Sequence, residues 1–386
     1  MADSTSALEL PPLALYVHLP WCVKKCPYCD FNSHAIDRAS DLPEAAYITA
    51  LLADLAHDAP MAQHRKLQSV FFGGGTPSLF SAAAIARILD AAERQIGFVE
   101  TPEITLEANP GTLDHSRFPD FLAAGINRLS IGVQSFDDSH LATLGRVHDS
   151  AAARRALDQV RDAGFNNYNI DLMYGLPGQS PAQARADIEQ ALACSPSHLS
   201  WYELTIEPNT AFYSRPPQLP NEDTLLDITA TGLAALSEAG FTRYEISAFA
   251  RDARLGEHNL NYWQFGDYLG IGAGAHGKIT LGPQQRIIRT AKTRQPEAYM
   301  KSLTSALTKI RILQADELPV EYFMNALRLC EGVPKAHFSQ RTGLSFSRVE
   351  ATWQQLVDLG LVAAAGTTLK PTPRGLSLLN EVIARF

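Results

Sequence analysis

Three of the chain's five cysteines, Cys22, Cys26 and Cys29, lie close together in the spacing CxxxCxxC, while Cys194 and Cys330 stand alone and are predicted to be core residues. Structural zinc takes four ligands, commonly from two paired halves, and the sequence has no second CxxC or HxxxH half. On a cubane of four irons, three thiolates leave one iron open to an exogenous ligand. We therefore predict a [4Fe-4S] cluster on the three clustered cysteines. A degenerate zinc site and a chance grouping of thiols are the alternatives.

The loop that contains the three clustered cysteines must be positioned by the surrounding strands and helices, which alternate along the sequence. Hydrophobic periodicity predicts six strands, several of them apolar on both faces, over residues 13–19, 67–72, 103–108, 127–133, 168–174 and 198–204. Amphipathic helices are predicted over residues 43–58, 81–95, 113–124, 150–163, 181–193 and 224–239. This order gives a parallel sheet wrapped by helices, either doubly wound or a full or partial (β/α) barrel. In both architectures ligands bind at the carboxyl ends of the strands.

Candidate ligand-binding residues occupy those strand ends. Residues 73–75 are three glycines after the second strand, where the absence of Cβ atoms lets the backbone approach a ligand closely. Glu107 ends the third strand and could accept hydrogen bonds from ribose hydroxyls or stand solvated. Two further polar residues come at or after the fourth and fifth strands, with a polar strand end and a capping or loop role as the alternatives: Gln134 and Asp171. Arg146, taken by itself, is an ordinary surface arginine.

Composition and termini restrict the class of protein. The chain has 386 residues and a formal net charge of −8. Asp3 and Glu9 stand where a secretory signal places Lys or Arg, and no run of about 18 apolar residues could span a membrane. We therefore expect a cytoplasmic protein without a transmembrane segment, and peripheral membrane contact stays open.

The sequence changes character beyond about residue 291. Helices are predicted over 318–329, 338–342, 347–359 and 373–386, with a hairpin at 361–371, an order that resembles a winged helix. In residues 291–386 the excess of Lys and Arg over Asp and Glu is too small and too dispersed to indicate a nucleic-acid partner. We predict a (β/α) core over 1–235, an extension over 236–290 and a small α-rich winged-helix-like domain over 291–386. The extension is predicted to contain a strand at 242–249 and a glycine-rich stretch at 266–277.

The CxxxCxxC loop after a strand resembles the signature of the radical S-adenosylmethionine (radical SAM) superfamily, and the glycines of residues 73–77 resemble its GGE-like motif. The resemblance implies an α/β fold, a partial (β/α)6 barrel. It also implies that the amino and carboxylate groups of S-adenosylmethionine chelate the open iron. An electron from the reduced cluster would then cleave the sulfonium to a 5′-deoxyadenosyl radical, so the cofactor carries the hard chemistry.

Residues 16–22, 73–77, 132–136 and 171–178, with Glu107, together resemble the oxygen-independent coproporphyrinogen oxidase family. Carried over by position, three residues would contact the cofactor on the cluster: Tyr16, Gly74 and Glu107. Others match places that line the active site and hold a second S-adenosylmethionine in the decarboxylating enzyme: Tyr28, Gly75, Thr76, Gln134, Arg146 and Asp171. Thr205 and His276 also fall at cofactor positions of that family, although the local residue types differ.

Two features distinguish branches of that family. The decarboxylating branch reads CxxxCxxCxC, and Phe31 stands here in place of its fourth cysteine, which resembles the HemW-type haem chaperone branch. Residues 258–263, HNLNYW, resemble an HNxxYW element of that branch that is linked with haem. His258 is therefore the predicted haem ligand, with neighbouring aromatic rings as porphyrin faces. A packing role for His258 is the alternative, and His148 and His276 are rival ligands.

We therefore expect a haem chaperone that binds the cluster, S-adenosylmethionine and haem and delivers haem to haem-accepting apoproteins. An electron donor for the cluster is an expected partner, nucleic acid is not, and the chain is expected to be a monomer or a homodimer. Oxidative decarboxylation of coproporphyrinogen III to protoporphyrinogen IX is the alternative function. A third reading, motivated only by the winged-helix-like tail, is a radical enzyme that modifies nucleic acid.

Overall fold

Six parallel strands form the centre of the fold. A computed structural model describes residues 7–111, 117–301 and 308–386. In chain order the strands are β1 (Leu13–Leu19), β2 (Leu67–Gly74), β3 (Phe98–Ala108), β4 (Arg128–Gln134), β5 (Tyr168–Tyr174) and β6 (His198–Glu203). Each is hydrogen-bonded in parallel to the one before it. The six strands predicted from periodicity are thereby confirmed, with small changes of bounds.

The central strands are buried on both faces, as a parallel sheet covered by helices requires. In β1, six of the seven residues of LALYVHL are buried. The helices up to the end of the core are α1 (Glu44–Asp58), α2 (Ala82–Gln95), α3 (Phe118–Ala123), α4 (Asp138–Thr143), α5 (Ser150–Asp162), α6 (Pro181–Ala193), α7 (Ala211–Ser214) and α8 (Glu222–Glu238). The predicted start of α3 at Leu113 lies outside the described residues. The other predicted core helices are confirmed to within two residues at each end.

The sheet continues beyond both outer strands of this centre. On one side β6 pairs with antiparallel β8 (Ala248–Ala250), which pairs with β7 (Thr242–Glu245). On the other side β1 pairs in parallel with β9 (Asp267–Ile271), followed by antiparallel β10 (His276–Leu281), β11 (Arg286–Lys292) and β12 (Thr308–Ile312). Among the described residues the strand order runs from β12 to β7 without closing. The partial (β/α)6 barrel is therefore confirmed.

One prediction for this extension is wrong in detail, and one stretch contains strands that were not predicted. The strand predicted over 242–249 is two strands, β7 and β8, joined by a tight turn. The glycine-rich stretch at 266–277 contains β9 and the start of β10. A Cβ atom on Gly270 would lie 1.9 Å from the carbonyl oxygen of His276, so glycine is required where these two strands approach each other. The same glycines hide the alternating pattern that would have indicated strands.

The C-terminal helices form a second hydrophobic core. After α9 (Glu257–Trp263) and α10 (Pro296–Lys301) come α11 (Leu318–Ala326), α12 (Lys335–Thr342), α13 (Ser347–Asp358), α14 (Pro373–Ser377) and α15 (Leu379–Ile383). Phe323 lies at the centre of this core, with its ring centroid 4.0 Å from that of Phe386 and 5.5 Å from that of Phe338. The core includes Phe265 and Ile287, so the C-terminal helices pack against the sheet extension.

The hairpin and the last helix differ from their predictions. Val362 and Pro371 form an antiparallel bridge, but Thr368–Leu369 pairs with Val333–Pro334. The helix predicted over 373–386 is interrupted at Leu378, whose φ of −117° and ψ of 32° are not helical. The division of the chain at residues 235 and 290 stays a prediction, and the large sheet extends to Ile312. Within the described residues we find no helix that combines the length and apolarity needed to cross a membrane.

Candidate cofactor site

The cysteine loop follows β1 and is fixed by backbone hydrogen bonds. Trp21–Cys22 pairs with His34–Ala35, and the N–H of Cys29 donates to the carbonyl oxygen of Cys26 at 3.2 Å. All three clustered cysteines are free thiols of intermediate exposure. The loop therefore presents its sulfurs at the carboxyl end of β1, where the fold predicts a site.

Each of the three sulfurs has its own hydroxyl or guanidinium neighbour. Thr76 Oγ1 lies 3.6 Å from the sulfur of Cys22, Ser33 Oγ lies 3.9 Å from that of Cys29, and Arg146 Nη1 lies 3.5 Å from that of Cys26. Hydrogen bonds to thiolate sulfurs are a standard feature of iron–sulfur sites. This donor set fits three thiolates that bind iron.

The other predicted cofactor residues surround this loop. A cavity of about 280 Å³ is lined by the three cysteines and by eight of the predicted cofactor residues: Tyr28, Gly74, Gly75, Thr76, Glu107, Gln134, Arg146 and Asp171. An adjoining inner cavity of about 690 Å³ is lined by Tyr16 and shares Gly74, Glu107 and Asp171 with the first. The structure thus brings together residues from five different strand ends. Thr205 and His258 line neither cavity.

The glycines of β2 permit its close approach to the cysteine loop. Gly74 has a φ of +116°, and a Cβ on it would lie 2.5 Å from the ring of His18. A Cβ on Gly75 would lie 2.5 Å from the carbonyl oxygen of Trp21, which belongs to the loop's backbone. Any larger residue would push the end of β2 away from the cysteines.

Two partly buried carboxyl groups, Glu107 and Asp171, line both cavities. Burial and the neighbouring Asp171 raise the pKa of Glu107 to about 8, although the Gly74 N–H donates to Glu107 Oε2 at 3.2 Å. Burial also raises the pKa of Asp171, which accepts hydrogen bonds from Asn169 Nδ2 at 2.7 Å and Ser130 Oγ at 3.0 Å. A cationic ligand would allow both groups to ionise. The positively charged sulfonium of S-adenosylmethionine fits this requirement.

Two other polar atoms in the pocket have no hydrogen-bond partner within the described part of the chain. Among the described residues, Gln134 Oε1 and Arg146 Nε are buried without a hydrogen-bond partner. Gln134 also has a φ of 66°, a conformation that is uncommon for a residue other than glycine. Buried polar groups are ordinarily paired, so these two atoms are suited to contact a bound polar molecule.

The three cysteines do not enclose a single ion. Within the residues that the structure describes, no three His, Cys, Asp or Glu side chains are grouped to hold one metal ion. A four-iron cluster makes a different demand, since each thiolate binds a separate iron. Three thiolates therefore suit a cluster with one open iron.

The predicted haem ligand His258 lies in a closed environment. It is 1% exposed, and its ring stacks on Phe71 with centroids 5.1 Å apart. Its Nδ1 lies 2.9 Å from Ser69 Oγ, and its Nε2 lies 2.7 Å from the hydroxyl of Tyr262. Both ring nitrogens are thus engaged, which matches the packing role left open for this residue. Haem ligation by His258 stays a prediction and requires one of these two hydrogen bonds to break.

Sequence reasoning missed two residues of the pocket. Tyr202, at the end of β6, and Ser130, inside β4, line it together with the predicted residues. Burial, with the nearby Asp171, raises the pKa of Tyr202, so its hydroxyl stays protonated. The position of Tyr202 at a strand end was the available signal. Ser130 had none, because it lies inside an apolar strand.

Comparison with known proteins adds an independent result. The family model "Radical SAM superfamily" matches residues 16–191, and the model "HemN C-terminal domain" matches residues 313–378. The solved structure of coproporphyrinogen III oxidase from Escherichia coli, described as a radical SAM enzyme, superimposes with a TM-score of 0.81 at 24% identity. That match covers 99% of this chain and 91% of the other, and at this identity it supports the fold alone.

Sequence relatives are closer. A protein of Haemophilus influenzae named "Heme chaperone HemW" is 47% identical over 382 residues, which cover 98% of each chain. Its namesake from Escherichia coli is 46% identical over 379 residues, covering 98% of this chain and 99% of the relative. Identity of this extent, together with the radical SAM match over the cysteine loop and the first five strands, means that the chain belongs to the HemW family of the radical SAM superfamily.

Proposed function

We propose that this chain is a haem chaperone, which binds haem and delivers it to haem-dependent apoproteins. Its full-length relatives at 46% and 47% identity carry that name. Within the chain itself, Phe31 is the observation that carries the proposal, because it occupies the position of the fourth cysteine of the decarboxylating branch. The predicted recipients, an electron donor for the cluster and a cytoplasmic location belong to the same proposal.

Phe31 stands beside the proposed cluster. Its side chain is 60% exposed and lines both the cluster pocket and the inner cavity. Its carbonyl oxygen accepts a hydrogen bond from Lys25 Nζ at 3.0 Å, and the next residue, Asn32, donates through Nδ2 to the carbonyl oxygen of Ala273 at 2.9 Å. The backbone is therefore held in place while an apolar ring replaces a thiol. A ring at this position offers no sulfur to a cluster or to a reacting substrate.

The cofactors have separate positions in this proposal. Cys22, Cys26 and Cys29 would hold the [4Fe-4S] cluster, and the partly buried pair Glu107 and Asp171 would face the cationic part of S-adenosylmethionine. When bound, these cofactors supply one-electron redox chemistry. The contribution of the chain is to orient them, to neutralise their charge and to keep water from this pair of carboxyl groups. Chaperone function does not require their turnover.

One anaerobic experiment separates the chaperone from the enzyme. Protein with a reconstituted cluster is titrated with haemin, and the same sample is incubated with S-adenosylmethionine and coproporphyrinogen III. We expect saturable haemin binding, transfer of the haem to an added apoprotein and no protoporphyrinogen. Protoporphyrinogen formation that depends on S-adenosylmethionine, without stable haem binding, would refute the proposal.

The cluster ligands need a separate test. Cys22→Ser should abolish the broad visible absorption of the reconstituted iron–sulfur cluster, because it removes one of three thiolates. Cys194→Ser is the matched control, since Cys194 is also a free, half-buried thiol but follows α6, outside the pocket. A full cluster spectrum in the Cys22 variant would overturn the assignment.

A further inference from the structure

A third cavity, the outer cavity, lies between the sheet extension and the C-terminal helices. It has a volume of about 520 Å³, within the range of small-molecule sites. Its walls come from the end of α9, from strands β9 to β11, from Arg311 of β12 and from α11. Four aromatic residues line it: Tyr262, Trp263, Phe265 and Tyr268. Tyr262 and Tyr268 meet edge to face with ring centroids 4.5 Å apart. Such a wall suits a flat aromatic ligand.

Among the candidate haem histidines, one has an accessible ring. The two nitrogens of His258 are engaged as described above, and those of His148 lie 3.2 Å from Asn109 Oδ1 and 3.1 Å from the carbonyl oxygen of Val133. His276, at the start of β10, is exposed, and its ring makes no hydrogen bond with the described residues. It lines both the inner and the outer cavity. His276 is therefore the histidine that can present a free imidazole nitrogen to iron without rearrangement.

Cations stand on the same face of the sheet. Register pairs Tyr268 with Lys278, Lys278 with Arg289, and Arg289 with Arg311, and residues opposite one another in antiparallel strands share a face. Because alternate residues of a strand point the same way, His276 shares the face of Lys278. The imidazole of His276 and the cationic side chains can therefore contact the same ligand from one face of the sheet.

Arg289 and Arg311 are available for a new anion. Both pair with one carboxylate, Glu321 of α11, and Arg311 also pairs with Glu317. The side chain of Arg311 is 54% exposed. Lys278, by contrast, is buried against Asp267 at 2.8 Å. Arg311 can accept a ligand carboxylate by exchanging exposed ion pairs, which are worth little. Arg289, whose side chain is 22% exposed, can do so by exchanging its partly buried pair with Glu321.

The inner cavity has the opposite charge balance. Three carboxyl groups line it, Asp30, Glu107 and Asp171, against two arginines, Arg128 and Arg294. The outer cavity has one carboxylate, Glu321, against Lys278, Arg289 and Arg311. Haem carries two negative propionates, so the outer cavity is the better electrostatic match. The inner cavity also shares Glu107 and Asp171 with the proposed cofactor pocket.

We propose that haem binds in the outer cavity, with the imidazole of His276 as a ligand to the iron and the guanidinium groups of Arg289 and Arg311 as partners of the propionates. This inference rests on the proposed function. The rings of Tyr262 and Tyr268 pack against the porphyrin. Met324 of α11, 46% exposed in the same cavity, supplies a thioether that can take the second axial position, as in His/Met haem proteins.

Haemin titration of the full-length protein, followed by the Soret band, tests the ligand. His276→Gly should shift the Soret band and raise the Kd for haemin by roughly tenfold or more, the effect expected when a metal site loses a ligand interaction. Added imidazole should restore the original band position, which a structural role would not produce. His64→Asn is the matched control: His64 is an exposed histidine outside the cavities, and asparagine tolerates its φ of 65°.

The propionate contacts have their own test. Arg289→Gln with Arg311→Gln should weaken haemin binding and leave binding of haemin dimethyl ester unchanged, because the ester lacks the negative charges. If the double variant binds haemin as tightly as the native protein does, and the affinity for the dimethyl ester is also unchanged, these contacts are refuted. If native protein binds haemin and His276→Gly keeps the same band and Kd, the site is wrong and the chaperone function stands. If native protein binds no haemin, the proposed function fails first.

Discussion

Glu107→Gln is the change that most directly probes the cofactor pocket. Glu107 is partly buried at the end of β3, near a second partly buried carboxyl group, Asp171, and its pKa is raised to about 8 by desolvation and by that neighbour. The Gly74 N–H donates to its carboxyl group at 3.2 Å, and an amide oxygen can accept the same hydrogen bond. The substitution therefore removes the charge and preserves the shape.

The effect of Glu107→Gln on the free energy of unfolding depends on whether a cationic ligand is bound in the pocket. Without cofactor, the folded protein holds the Glu107 proton more tightly than the unfolded chain, so the free energy of unfolding falls as pH rises from about 4.5 to about 8. At about 1.4 kcal/mol for each pH unit, the ionised group costs up to about 5 kcal/mol above that range. Glutamine avoids this cost. We expect the variant without cofactor to be a few kcal/mol more stable than the native protein at pH 8.5 and equally stable at pH 4.5.

The same variant should bind S-adenosylmethionine more weakly, because the positively charged sulfonium of the cofactor loses an anionic partner. Thermal unfolding without cofactor at pH 4.5 and 8.5 measures the first effect, and calorimetric titration of the reconstituted protein measures the second. Glu100→Gln, an exposed change in the same strand, is the control and should alter neither. A Glu107 variant that is no more stable at pH 8.5, or that binds the cofactor as tightly as the native protein, contradicts the reasoning.

Two further changes test the surroundings of the cysteines. Arg146→Gln removes the guanidinium that lies 3.5 Å from the sulfur of Cys26, so the reduction potential of the cluster should fall in an electrochemical titration; an unchanged or higher potential would argue against the contact. Gly75→Ala places a Cβ 2.5 Å from the carbonyl oxygen of Trp21 and should lower both the unfolding temperature and the yield of reconstituted cluster, whereas Gly366→Ala, which meets no atom within 4 Å, should change neither.

The cofactor pocket was largely predictable from the sequence because its residues sit at strand ends. Apolar runs locate the six parallel strands, and in a parallel sheet their carboxyl ends fall on one edge. Glu107, Gln134 and Asp171 end or interrupt such runs, so their proximity follows from topology before any contact is known. Arg146 is different, since it follows α4 and reaches the cysteines through the fold of a loop. It was found through family resemblance.

The sheet extension was not predictable in the same way. Strands β9 and β10 carry Gly270 and Gly277, whose absent side chains interrupt the alternation that identifies a strand. Close packing explains both: a Cβ on Gly277 would lie 2.4 Å from Thr290 Oγ1. Without these strands in place, the outer cavity and the exposed position of His276 could not be anticipated. Tertiary packing here overrides the local pattern.

The HNxxYW element has a structural role that the sequence alone does not reveal. Glu103 of β3 accepts hydrogen bonds at 3.0 Å from the backbone N–H groups of Glu257 and His258, which fixes the start of α9. His258 then ties this helix to Ser69 of β2. So anchored, the helix sets Tyr262 as a wall shared by the inner and outer cavities.

If haem binds in the outer cavity as proposed, the histidine of the motif would act as a positioning residue, and the aromatic residues of the motif would contact the haem. Trp263 lines the outer cavity with Arg328 stacked 4.3 Å from its ring centroid, and its indole Nε1 has no hydrogen-bond partner among the described residues. The motif would be preserved for the wall that it builds between two binding spaces. In the same proposal the imidazole that binds iron would come from His276 at the start of β10, while His258 stays buried.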